Sequence, residues 1–164
     1  MQKTIYWMAI LLTSFSLVGC QSKKAVSSSA PKTVIKSNQL TQKQRQKQFN
    51  AICEQVMKPV TAAAYGAKLP ELVTDAKQGK QKLADIQLIL QNNTSQPDAN
   101  QRLLTYIDKA THVLDALIQN DGKAYQNSIN VFSNQTTAIA RQDYNGTVPP
   151  SMVSYAKLHQ SNTK

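Results

Sequence analysis

Apolar residues recur along the middle of the chain at helical spacing. Phe49, Ile52, Cys53, Val56, Met57 and Val60 follow one another at steps of three and four, which places them on one stripe of a helix beginning near Gln39. Pro59 lies within that stripe and predicts a kink or a break near Lys58, with Gly66 as the stop. A second helix opens with Pro70 in its first turn and Glu71 at its positive end. Leu72, Ala76, Gly79, Leu83, Ile86 and Leu90 then alternate steps of four and three, the pattern of a helix-packing seam. Asn92 to Pro97 is a turn cluster, after which Asp98 with Gln101 matches a reciprocal cap. Leu103, Leu104, Ile107, Ala110, Leu114, Leu117 and Ile118 make a broad apolar face.

The next question is whether this third helix passes through Asn120-Asp121-Gly122. Ile118, Tyr125, Phe132 and Ile139 step by seven and keep the phase, and one internal glycine costs only about 1 kcal/mol. Length argues for a break. A helix over 98–142 would run about 67 Å, against about 35–40 Å for the first two. Its overhang would expose Ile129, Phe132 and Ile139. The expected fold is therefore all-α, an up-and-down bundle of four helices over 39–145. The alternative is three helices with a long third one through Gly122. Residues 146–164 read as a tail with a short helix near Ser151–Gln160 carrying Met152, Tyr155 and Leu158.

The chain opens differently. After Lys3, Ile5 to Val18 is apolar apart from Thr13, Ser14 and Ser16. That run is shorter than the ~20 residues of a membrane-spanning helix and matches the core of a signal peptide. It ends Leu17-Val18-Gly19-Cys20, which resembles the lipobox of bacterial lipoproteins. The resemblance implies cleavage between Gly19 and Cys20 and a diacylglyceryl group on the Cys20 thiol. Residues 1–19 are then a signal peptide. The protein would sit on the extracytoplasmic face of the cell membrane, held stably by its acyl chains.

Residues 20–38 follow as a serine-rich tether without period. Its roughly 18 residues span about 25 Å as a coil and about 60 Å extended. The net charge of +10 concentrates here. Lys23, Lys24, Lys32, Lys36, Lys43, Arg45 and Lys47 meet no acidic residue, whereas the stretch beyond residue 47 carries only +2. These seven are the candidate contacts to an anionic lipid or wall-polymer surface. A self-repelling spacer explains the same charge. Nucleic acid is not indicated, because the basic stretch is interleaved with glutamine rather than base-stacking aromatics.

Catalytic patterns are missing from the sequence. Glu54 and Glu71 are the only glutamates, and no nucleophile elbow, phosphate-cradling glycine loop or Cys/His cluster occurs. Asp108, His112 and Asp115 share one helix face but lack a fourth ligand nearby, so they read as a solvated polar face and no metal is expected. No cofactor is implied. Cys53 reads as a buried, inert thiol. Among the tyrosines, Tyr125 is the expected core member, with Tyr65, Tyr106, Tyr144 and Tyr155 at the edges. The chain is too short for the two α/β lobes of a transporter's solute-binding lipoprotein. The expected function is that of a lipid-anchored, non-catalytic envelope protein that binds another envelope protein or an anionic polymer. An immunity or exclusion lipoprotein acting against phage or a peptide toxin is the alternative.

Overall fold

The computed structural model describes residues 39–161. The lipobox, Gly19 and Cys20, and the tether lysines Lys23, Lys24, Lys32 and Lys36 lie outside them. Five helices follow one another: α1 (Gln42–Ala64), α2 (Leu69–Gln91), α3 (Pro97–Ile118), α4 (Gly122–Asp143) and α5 (Pro150–Ser161). Sequential helices α1 to α4 pack side by side, α1 also meets α3 across the core, and α5 lies on α1. Among the described residues no helix is long and apolar enough to cross a membrane.

The turns explain the helix boundaries. At the end of α1, Gly66 takes a φ of 83°, and the N–H groups of Gly66 and Ala67 close on the Ala63 and Ala62 carbonyls. This is the paired closure that favours glycine. Asn120 performs the same task after α3, at a φ of 56°, with Asn120 N–H on Leu117 O and Asp121 N–H on Ala116 O. Asp121 then caps α4 by accepting from the Ala124 N–H at 2.9 Å. The break between α3 and α4 is thus made by Asn120 and Asp121, and it removes the long third helix as an alternative. Gly122 is simply the first residue of α4.

Two expectations about the helix ends and breaks change. The helix α1 is not broken at Lys58; it runs unbroken through Pro59. The residues flanking the proline, Val56, Met57 and Val60, are all buried, and that packing outweighs the ~3 kcal/mol cost of an internal proline. Asp98 does not cap α3. The cap position is Gln96, in the left-handed region at a φ of 53°, and Pro97 takes the first helical position. The reciprocal cap occurs instead at α1, between Thr41 and Gln44. The short helix expected near Ser151–Gln160 is α5, and Val148, Met152 and Tyr155 are half-buried against the core.

The α2 seam is buried at all six positions. The core between α1, α3 and α4 is aromatic. Tyr144, Phe49, Tyr106 and Phe132 form a ladder with ring-centre separations of 5.0, 5.4 and 4.7 Å. Tyr106 and Tyr144 are therefore core residues, and Tyr125 is only half-buried, the reverse of the sequence expectation.

Candidate functional site

The bundle has two different ends. The chain leading into α1 meets the α2–α3 turn and is pinned to it. Leu40 donates its N–H to Asn93 Oδ1 at 2.9 Å. The Leu40 carbonyl accepts from Arg45 Nη1 at 2.6 Å and from Ser95 Oγ at 3.0 Å. Asn93 Nδ2 donates to Asn100 Oδ1 at 2.9 Å, and Asn100 Nδ2 donates to the carbonyls of Asn93 and Ser95. Asn93, Asn100 and Arg45 are buried, and a fully satisfied buried network fixes its geometry. Beside it, Arg102 grips Asp143 with two hydrogen bonds of 2.8 and 2.5 Å, joining α3 to the end of α4. The attachment of the Arg102 guanidinium to this carboxylate raises its pKa further.

The sequence-predicted cationic cluster divides here. Lys43 and Lys47 stand exposed on α1. Arg45 is 6% exposed and spends its guanidinium on Leu40 and Ser95. It is a structural residue and does not stand on the outer face with the two lysines.

The opposite end carries an open groove of about 500 Å³ between the second half of α3 and the first half of α4. Lys109, His112 and Asp115 line one wall, and Asn127, Ser128 and Val131 line the other. Val131 is 50% exposed. Asp115 is paired with Lys80 of α2, so Lys109 is the groove's standing positive charge. Of the face Asp108, His112 and Asp115, the last two reach the groove and Asp108 does not. Among the described residues no three His, Cys, Asp or Glu side chains gather to hold a metal. The groove had no sequence signal: no residue of α4 over Gly122–Val131 is fully buried.

A third polar cluster is internal. Tyr106 Oη and Thr136 Oγ1 are 2.7 Å apart, and Thr136 also donates to the Phe132 carbonyl. The Cys53 thiol adjoins Tyr106, and burial raises its pKa despite nearby hydroxyls. Burial likewise holds Tyr106 well above the usual phenol range. A thiol kept protonated in this way is a poor nucleophile. The cluster is a core device, in keeping with an inert Cys53.

The fold and its two ends define an all-helical bundle with a pinned end and an open one. No protein-family model, curated protein or solved structure matches the chain.

Proposed function

We propose that this is a lipid-anchored envelope protein whose bundle binds an acidic partner, either an acidic segment of another envelope protein or an anionic envelope polymer. The observation that carries the reading is the separation of the two ends. Leu40, which leads back to the tether and Cys20, is fastened at the α2–α3 turn. The groove lies at the other end of helices about 30 Å long, facing away from the point of attachment. Lys109 supplies charge, Asn127 and Ser128 supply hydrogen bonds, and Val131 supplies apolar surface. Such a mixture suits recognition better than chemistry.

The test is a crosslinking pull-down from intact cells, paired with binding of purified wall polymer. The parent chain is expected to retain a partner, and Lys109→Glu combined with Val131→Asp to lose it. Recovery of nothing by the parent in either arm would sink the proposal. Cys20→Ala is expected to release the protein or leave it unprocessed; unchanged membrane retention of a processed form would overturn the anchor.

A further inference from the structure

The helix α5 is held less firmly than the others. Each of α1 to α4 has at least four buried residues. Between Pro150 and Leu158 no α5 residue is buried. This segment docks chiefly against α1, with Val148, Met152 and Tyr155 half-buried beside the buried Pro149. It also carries a penalty. Ser151 Oγ is buried with no hydrogen-bond partner. Its polar neighbour is the Cys53 thiol, a weak partner for a hydroxyl. The connection to α4 bends through Asn145 and Gly146, both at positive φ. The aromatic ladder from Tyr144 to Phe132 is contributed without any residue of α5.

We propose that α5 is a releasable strap, which opens as a unit from an intact α1–α4 bundle and, when closed, covers Cys53. This inference stands independently of the lipid anchor and of what the groove binds.

The test uses the full chain with Cys20→Ser, which leaves Cys53 as the single thiol. Labelling of Cys53 by a thiol reagent is expected in native buffer, at a rate that barely responds to low urea. Global unfolding responds steeply, because it exposes far more surface. Met152→Ala and Tyr155→Ala should each speed labelling roughly tenfold, with the circular-dichroism melt shifted by only a few degrees. Ser151→Ala, which removes the orphaned hydroxyl, should slow labelling severalfold. Hydrogen exchange on the unsubstituted helices gives a second readout: α5 amides should open separately from those of Phe132–Ala140. Labelling that tracks global unfolding in urea, or α5 amides that exchange together with the Phe132–Ala140 core, would overturn the proposal.

Discussion

Replacing Gly79 with alanine sets two effects of opposite sign against each other. An alanine inside an exposed helix gains about 1 kcal/mol over glycine. At Gly79 the new methyl would stand 3.1 Å from Leu114 Cδ1, 3.3 Å from the Gln55 carbonyl oxygen and 3.4 Å from Gln55 Cβ. Comfortable carbon contacts begin at about 3.5 Å. Leu114 is completely buried and has no room to swing away. The Gln55 carbonyl belongs to the α1 main chain, and it is the one that Pro59, lacking an N–H four residues on, leaves without its helical donor. The backbones of α1 and α2 approach closely at this carbonyl, so relief requires the helices to part.

Overpacking of this kind costs about 1–3 kcal/mol, so Gly79→Ala should be net destabilising by about 1 kcal/mol. Gly122→Ala is the matched control. It lies in the first turn of α4 with nothing within 4 Å of the added methyl, and it should stabilise by about 0.5 kcal/mol. For a domain of this size 1 kcal/mol moves the melting midpoint by about 4 °C. Circular-dichroism melts should therefore place Gly79→Ala about 4 °C below the parent and Gly122→Ala about 2 °C above it. A Gly79→Ala protein that melts above the parent would refute the close approach of α1 and α2.

Asn100→Ala should remove about 2 kcal/mol, since it strands Asn93 and the carbonyls of the α2–α3 turn inside the protein; limited proteolysis should then cut before Thr41, and an unchanged cleavage pattern would count against the knot. Alkaline pH should weaken the fold. Burial pushes Tyr125 and Tyr144 up to about 12, so the unfolded chain, whose phenols ionise near 10, loses its protons first. Their stabilising contribution is complete below pH 10 and drains away as pH climbs towards 12. Melting midpoints followed over that window should fall less steeply in the Tyr125→Phe, Tyr144→Phe double variant, and equal slopes would exclude these tyrosines as the cause.

Much of the fold was legible because its signals are local. The α2 seam needs only its own spacing, and all six of its positions are buried. The break after Ile118 was written in Asn120 and Asp121, whose side chains and backbone act within four residues. What escaped depends on partners far away in the chain. Pro59 is tolerated because residues on both sides of it are buried by other helices. Arg45 looks like one more cation until Leu40 and Ser95 are seen around it. Tyr106 and Tyr144 enter the core because Phe49 lies between them, a relation no periodicity encodes. The groove was illegible for the same reason, since it arises from what α4 fails to bury.

Packing is graded along the bundle. The end nearest the tether holds the Asn93–Asn100 knot, the Arg102–Asp143 pair and the start of the aromatic ladder. Within α4 the buried residues Phe132, Thr136, Ile139 and Ala140 all fall in the second half. The first half is supported by α3. Local opening should start there and reach the tether end last. The gradient agrees with the proposed division of labour. A fixed end holds Leu40, where the chain leads into α1, in one place on the bundle. A far end of low local stability can adjust to a ligand at small cost, because binding surfaces draw on the least stable parts of a fold.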